Sequence, residues 1–185
     1  MIKNVIFDIG NVLLDFCWKD HIARFGFQGE KADRIAQAMM LGPIWPKLDL
    51  GLESDEDILE QFVAHTPELE QEIRLVFSDL STIVREYEGS VDWIESLKAR
   101  GYHTYYLSNY GERIRREASK ELSFLSHMDG GIMSYTVHLA KPDPAIYQTL
   151  LDRYGLKAEE CVFLDDTVRN VEAAQALGIA GIVVT

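Results

Sequence analysis

The sequence is poor in cysteine and contains no long uninterrupted apolar segment. Its two cysteines, Cys17 and Cys161, belong to neither a CxxC motif nor a cysteine–histidine spacing typical of metal ligands. A disulfide framework and a zinc site are therefore not expected, and a reducing cytoplasm fits this cysteine content. Because the N-terminus has neither a basic flank nor a long apolar stretch, we expect no signal peptide and no transmembrane helix.

Positive charge is also scarce. The 185 residues include 18 basic and 30 acidic side chains, which gives a formal net charge of −12. Nucleic acids and anionic membranes bind basic surfaces, so neither is expected as the main partner. The acidic excess is compatible with a site for a divalent cation. A chain of this length suits one domain or one domain with a small insert, and no pattern in it indicates an oligomeric state.

The order of apolar runs, glycines and amphipathic segments along the chain predicts a doubly wound, parallel, Rossmann-like α/β sheet. The apolar run that ends at Phe7 is followed, after Asp8-Ile9, by Gly10-Asn11, which indicates a buried strand and a sharp turn. From Gly89 onward, predicted helices and strands alternate, an order typical of right-handed crossovers between parallel strands. The predicted helices are 91–100, 111–122, 144–154 and 168–177, and the predicted strands are 102–107, 132–135, 161–164 and 179–184.

Residues 17–88 have a different character from the rest of the chain. Four amphipathic helices are predicted there, over 20–24, 30–41, 54–64 and 67–87, and no strand. We therefore predict an α/β core formed by residues 1–16 and 89–185, with a helical insert of residues 17–88 after the first strand.

Four polar segments follow predicted strands or the loops beyond them, and they are expected to converge at one edge of the sheet. They are Asp8-Ile9-Gly10-Asn11-Val12, Leu107-Ser108-Asn109, Lys141-Pro142 and Leu164-Asp165-Asp166-Thr167. Carboxylates at this edge suit Mg²⁺, which prefers oxygen ligands, and the lysine offsets negative charge. A serine hydroxyl and turn N–H groups suit a phosphate, and an aspartate can attack phosphorus.

The order and spacing of these segments resemble the haloacid dehalogenase superfamily of hydrolases, in which the helical insert would be a cap. The phrases FDIGNV, KPDPAIYQ and FLDDTVRNVEAA are most similar to its bacterial sugar-phosphate phosphatases, including the α-D-glucose-1-phosphate phosphatase type. The resemblance implies a Mg²⁺-dependent phosphatase of a small phosphorylated metabolite. It implies Asp8 as nucleophile and metal ligand, Ser108 and Asn109 as phosphoryl-binding residues, and Lys141 as the residue that steadies nucleophile and intermediate. Asp165 and Asp166 would hold the metal, with Asp166 the more direct ligand.

Gly10 departs from the pattern of that superfamily. Most of its phosphatases carry a second aspartate, the general acid and base, two residues after the nucleophile. The Gly10 carbonyl still offers a metal ligand, but the proton donor is lost, and general acid catalysis is typically worth about 10²–10⁴-fold. Three interpretations stay open: another group or water donates the proton, the leaving group needs little protonation, or the protein only binds. Asp15 and His21 are the two candidate substitutes.

Dehalogenases of the superfamily also lack the second aspartate, because a halide leaves without a proton. A metal-free dehalogenase is therefore the alternative enzyme. The pair Asp165-Asp166 favours the phosphatase, since two adjacent carboxylates suit a metal better than a metal-free cleavage. Three residues of the insert, Trp18, Trp45 and Pro46, are candidates for the substrate-facing side of the cap or for its core.

Overall fold

A computed structural model describes all residues, 1–185, and contains seven strands and nine α-helices. The strands are β1 (Asn4–Phe7), β2 (Leu14–Phe16), β3 (Val84–Glu86), β4 (His103–Ser108), β5 (Gly130–Met133), β6 (Cys161–Asp165) and β7 (Ala180–Val183). The helices are α1 (Trp18–Arg24), α2 (Gly29–Ala38), α3 (Trp45–Leu50), α4 (Asp55–His65), α5 (Glu70–Phe77), α6 (Ser90–Ala99), α7 (Glu112–Glu117), α8 (Pro144–Tyr154) and α9 (Val168–Ala176). Short 3₁₀ turns precede α5 and β6, and others follow α7 and β5.

The central sheet has the strand order β5-β4-β1-β6-β7, and all its neighbouring strands run parallel. This confirms the predicted doubly wound α/β fold. All four residues of β1 are buried, because β1 lies at the centre of the sheet and both of its faces are covered. Val5 and Phe7 pack into one core cluster and Ile6 into a second one, as the alternation of side chains along a strand requires.

Three elements of residues 17–88 differ from the sequence prediction, namely α5, β3 and α3. The helix predicted over 67–87 is a 3₁₀ turn at Pro67–Leu69 followed by α5, and the chain then forms β3, a strand that was not expected. β3 pairs antiparallel with β2, with Leu14 opposite Glu86 and Phe16 opposite Val84. We call this pair of strands the ribbon. It connects the sheet to the helices α1–α5 at both ends of the helical segment. The division into a core and a cap stays a prediction.

The helices α1–α5 pack around their own apolar side chains, which include Ile35, Phe62, Ile73 and Phe77. α3 was not predicted, because Pro43 just before it and Pro46 in its first turn are residues that also favour loops. It is anchored by Trp45 and Leu48, which are both buried. None of the helices is long and apolar enough to cross a membrane.

Candidate active site

The carboxyl ends of three neighbouring strands bring the predicted polar residues together. Asp8 follows β1, Ser108 is the last residue of β4, and Asp165 is the last residue of β6. Since β1 lies between β4 and β6, all three side chains end at the same edge of the sheet. Lys141 reaches this edge from the loop before α8. The structure therefore places these residues in the convergent arrangement expected from the sequence.

Lys141 lies between two of the carboxylates. Its Nζ is 2.9 Å from Oδ1 of Asp8 and 2.6 Å from Oδ2 of Asp165. The side chains of Lys141 and Asp165 are 1% and 0% exposed, and that of Asp8 is 11% exposed. A buried ammonium stabilises buried carboxylates only where the charges are paired at this range, because burial removes their hydration. Lys141 thus offsets part of the negative charge at the edge of the sheet.

Asp165 and Asp166 differ in the bonds that they already make. Asp165 accepts hydrogen bonds from the Thr167 backbone N–H (2.7 Å), from Asn170 Nδ2 (3.2 and 3.1 Å) and from Lys141. Asp166 is only partly buried and accepts one bond from Asn11 Nδ2 at 2.9 Å and a longer one from Thr167 Oγ1 at 3.3 Å. Asp166 therefore has more free acceptor capacity for an external ligand than Asp165.

The donor set fits a hard divalent cation. One carboxylate oxygen from each of Asp8, Asp165 and Asp166 lies within 4.8 Å of the others, and Gly10 lines the same cavity. Three carboxylates and one lysine leave an uncompensated negative charge, and oxygen is the ligand atom that Mg²⁺ prefers. Asp8, Asp166 and the Gly10 carbonyl are the residues that would hold the ion, with Asp165 behind them.

The pKa of Asp8 depends on its burial and on the charged groups around it. Burial raises the pKa of Asp8 to about 6, and the nearby Asp165 adds to the increase, while Lys141 and the Ser108 hydroxyl act in the opposite direction. The Asp8 Oδ1 atom accepts the Ile9 backbone N–H at 2.7 Å as well as Lys141. The carboxylate is thereby held in one orientation at the end of its strand, which suits a group that attacks a bound substrate.

Asn109 makes contacts that its predicted role as a phosphoryl-binding residue did not include. Its side-chain amide bonds both backbone groups of Lys141. Asn109 also lines the cavity, whereas the buried Ser108 does not. The roles assigned to Ser108, Asn109, Lys141 and the aspartates stay predictions, although the structure places them all at one edge of the sheet.

The site opens into a cavity of about 200 Å³. Its apolar wall comes from the ribbon, from Trp45 on α3 and from the start of α7. Asp8, Asp49 and Asp166 contribute carboxylates to the lining, and no lysine or arginine belongs to it. The lining residues are Asp8, Gly10, Asn11, Leu14, Phe16, Trp45, Asp49, Val84, Asn109, Tyr110, Ile114, Asp166 and Thr167.

Several residues that the sequence offered for this cavity lie elsewhere. Of the three insert residues, Trp45 lines it, whereas Trp18 lines a separate surface depression and Pro46 is exposed. His21 is fully buried against Val76 and Thr82. Asp15 lies on β2 and accepts a bond from Cys17 Sγ. Asp49 is the cavity residue that the sequence reasoning missed. The one signal for it was its position four residues after Trp45, on the same helical face.

The fold and the site define an α/β protein with an acidic centre at the strand ends. The haloacid dehalogenase-like hydrolase family matches residues 2–178, so the chain belongs to that family and is a hydrolase. The fold is shared with a crystal structure of an enzyme of this family from Bacteroides thetaiotaomicron in complex with magnesium and inorganic phosphate. The TM-score is 0.76 at 22% identity, over 100% of this chain and 95% of that one.

Both enzymatic classes considered from the sequence occur among the relatives. The chain is 26% identical to the sesquiterpene phosphatase astK of Aspergillus oryzae, over 99% of this chain and 90% of the relative. It is 29% identical to a phosphorylated carbohydrates phosphatase of Thermotoga maritima, over 67% of this chain and 55% of the relative. It is 24% identical to (S)-2-haloacid dehalogenase 1 of a Pseudomonas species, over 96% of this chain and 82% of the relative. The relatives therefore support the superfamily and include sugar phosphatases, while the choice of reaction rests on the site.

Proposed function

We propose that this protein is a Mg²⁺-dependent phosphomonoester hydrolase that acts on a small phosphorylated metabolite, such as a sugar phosphate, through an aspartyl-phosphate at Asp8. The observation that carries the proposal is the contact of Lys141 Nζ with both Asp8 and Asp165, next to the third carboxylate of Asp166. Three carboxylates around one lysine suit a reaction in which a cation and a phosphate dianion meet the nucleophile.

In this mechanism Asp8 attacks phosphorus in line, and water then releases phosphate from Asp8. Lys141 holds Asp8 in its reactive orientation and offsets the charge of the transferring group. Ser108 and Asn109 stay the proposed phosphoryl-binding residues. The Asn109 side chain is bonded to the Lys141 backbone and the Tyr110 N–H to Ser134 Oγ, so neither of these two groups is free for a phosphoryl oxygen. Bound Mg²⁺ would supply charge neutralisation and orientation of the phosphoryl group.

A dehalogenase of 2-haloacids is the second candidate, and Gly10 is the observation that favours it. The cavity lining argues against it. A 2-haloacid carries a carboxylate that needs a cationic or N–H partner, and the lining contains no arginine or lysine and has three carboxylates of its own. The same feature favours a substrate whose only anionic group is the phosphate that reacts.

Phosphate release from a panel of sugar phosphates and aryl phosphates, with Mg²⁺ and with chelator, tests the proposal. We expect turnover that depends on Mg²⁺ and is abolished by Asp8→Asn, a nearly isosteric change. Trapping with beryllium fluoride should succeed in the wild type and fail in this variant. Asp33→Asn is the matched control, because Asp33 is an exposed aspartate on α2 outside the cavity.

Two results would contradict the proposal. Halide release from 2-chloropropionate in excess chelator, without phosphate release from any ester, would favour the dehalogenase. Tight binding of phosphorylated ligands without any turnover would indicate a binding module instead.

A further inference from the structure

Asp49 lines the same cavity as Asp8, although the two residues come from different parts of the fold. Asp8 follows the central strand of the sheet, and Asp49 lies on α3 among the helices. Trp45, one helical turn before Asp49, lines the cavity as well. The helix therefore directs one face toward the end of β1, and this face carries an aromatic ring and a carboxyl group.

α3 is held against the α/β sheet by contacts close to Asp49. The backbone carbonyl of Asp49 accepts a hydrogen bond from Ser134 Oγ, which in turn accepts the Tyr110 backbone N–H at 2.9 Å. His138 Nδ1 donates to the next carbonyl, that of Leu50, at 2.8 Å. Gly51 then ends the helix at φ 61°, where an added Cβ would lie 2.9 Å from Cβ of Tyr135. These contacts fix the end of α3, and with it the position of Asp49 relative to the sheet.

The carboxyl group of Asp49 has no hydrogen-bond donor or cation bound to it, in contrast to Asp8 and Asp165. Burial raises the pKa of Asp49 to about 7, and the charge of Asp8 adds to the increase, while Lys141 opposes it. The titratable groups that line the cavity with it are Asp8, Tyr110 and Asp166, and the charge of Lys141, which is paired with Asp8, also acts on it. A carboxyl group without a partner and with this pKa is able to hold a proton near neutral pH and to release it to an oxygen in the cavity.

We infer that Asp49 is the general acid and base of the reaction, in the role left vacant by Gly10. The inference rests on the proposed phosphatase function. In the first step, Asp8 Oδ forms a bond to phosphorus, the bond from phosphorus to the leaving oxygen breaks, and that oxygen takes the proton of Asp49. In the second step, Asp49 takes a proton from water, whose oxygen attacks phosphorus. The bond to Asp8 breaks, and phosphate and both starting side chains are recovered.

The structure argues against His21 and Asp15, the two residues that the sequence offered as substitutes for the missing general acid. His21 has no exposed surface, and both of its ring nitrogens have partners in Val76 and Thr82. Asp15 is on the ribbon but does not line the cavity. Among the carboxylates that do line it, Asp8 and Asp166 belong to the proposed nucleophile and metal site. Asp49 is the one left for proton transfer.

The test compares two substrates of similar size, benzyl phosphate and 4-nitrophenyl phosphate, in Mg²⁺. Benzyl alcohol leaves as a strongly basic alkoxide unless it is protonated, whereas 4-nitrophenolate leaves without help. Asp49→Asn should lower kcat/KM for benzyl phosphate by about 10²–10⁴-fold and that for 4-nitrophenyl phosphate much less. Asp49→Glu should recover part of the loss, and Asp33→Asn should leave both rates unchanged.

A second readout follows the phosphorylated enzyme. In Asp49→Asn the water-activating base is missing, so 4-nitrophenol should appear as a burst equal to the enzyme concentration, followed by slow turnover. In the wild type, the rate with benzyl phosphate should fall as pH rises through about 7, because Asp49 then loses its proton. Asp49→Asn should lose this alkaline limb. Melting curves show whether the variants fold. If Asp49→Asn does not fold, Asp49→Glu is compared with the wild type instead.

Three results would overturn the assignment. An equal loss on both substrates, or no loss on either, would exclude proton transfer by Asp49. A raised KM with an unchanged kcat on both substrates would assign Asp49 to substrate binding. If the wild type hydrolyses neither ester, the proposed function itself is wrong, and the assignment of Asp49, which depends on that function, is wrong as well. The first two results leave the phosphatase intact.

Discussion

The side-chain amide of Asn109 pairs with the backbone of Lys141 as one strand pairs with another. Its Nδ2 donates to the Lys141 carbonyl at 3.0 Å, and its Oδ1 accepts the Lys141 N–H at 2.7 Å. The loop that carries Lys141 is thereby attached to the end of β4. Since the ammonium of Lys141 contacts Asp8 and Asp165 at the other end of its side chain, Asn109 controls where that charge lies.

Asn109→Ala should therefore weaken the positioning of the Lys141 ammonium without altering the Lys141 side chain itself. We expect kcat with an aryl phosphate to fall by roughly 10–100-fold, since loss of the support behind a catalytic group commonly has this effect. Asn109→Asp keeps the acceptor for the Lys141 N–H but loses the donor, so kcat should again fall. Lys141→Ala in each background tests the coupling. If the two losses simply multiply, Asn109 acts independently of Lys141.

Magnesium should stabilise the folded protein in the absence of any substrate. Like charges on Asp8, Asp165 and Asp166 repel one another, and an ion bound only by the folded state stabilises it by mass action. At a concentration 100 times its Kd, the gain would be about 2.7 kcal/mol, visible as a raised melting temperature. Asp166→Asn should lose most of this shift and Asp33→Asn none of it. An equal shift in both variants would place the ion elsewhere.

Gly10→Asp tests whether the family's usual position still accepts an acid. A Cβ added to Gly10 would meet no atom within 4 Å, and the left-handed residue of this turn is Asn11, with φ 56°. The substitution should therefore fold without steric strain. In the Asp49→Asn background it should restore part of the benzyl phosphate activity. Gly10→Asn is the matched control, and equal recovery with asparagine would show that the gain is not proton donation.

Two buried tyrosines allow a comparison of their hydroxyl groups in stability measurements. The Tyr147 hydroxyl donates to the Asn170 carbonyl at 2.9 Å, whereas the Tyr110 hydroxyl, in a residue that lines the cavity, has no partner. Tyr147→Phe should lower the free energy of unfolding by about 1 kcal/mol, and Tyr110→Phe should leave it equal or higher. Urea unfolding of both variants measures this. A larger loss for Tyr110→Phe would mean that its hydroxyl is bonded in solution.

The parts of the fold that local chemistry specifies were predicted well. α8 has the predicted bounds, because Asp143 caps it through the Ala145 N–H, Pro144 begins it and Gly155 ends it at φ 62°. β3 was missed because three residues are too short for a detectable alternation, and its partner β2 lies about 70 residues earlier in the chain.

The same distinction holds at the site. Asp8, Ser108 and Asp165 lie at the carboxyl ends of strands of one parallel sheet, so their convergence is a consequence of topology that the sequence pattern contains. Asp49 reaches the cavity only because α3 packs on the segment that contains Ser134. Contacts between two such distant segments leave no periodic signal in either of them, so the spacing of Asp49 from Trp45 was the one clue to this residue in the sequence.

The ribbon is where the chain leaves the sheet for α1–α5 and returns to it, and Leu14, Phe16 and Val84 on it also form part of the cavity wall. In the proposed mechanism, phosphoryl transfer by Asp8 and Lys141 belongs to the side of this junction that holds the sheet. The inferred proton donor belongs to the side that holds the helices. The proposed mechanism thus assigns the two halves of the reaction to residues on the two sides of the ribbon. Replacing residues 17–83 with the helices of a relative would change which alcohols are released, while the machinery that handles phosphate stayed the same.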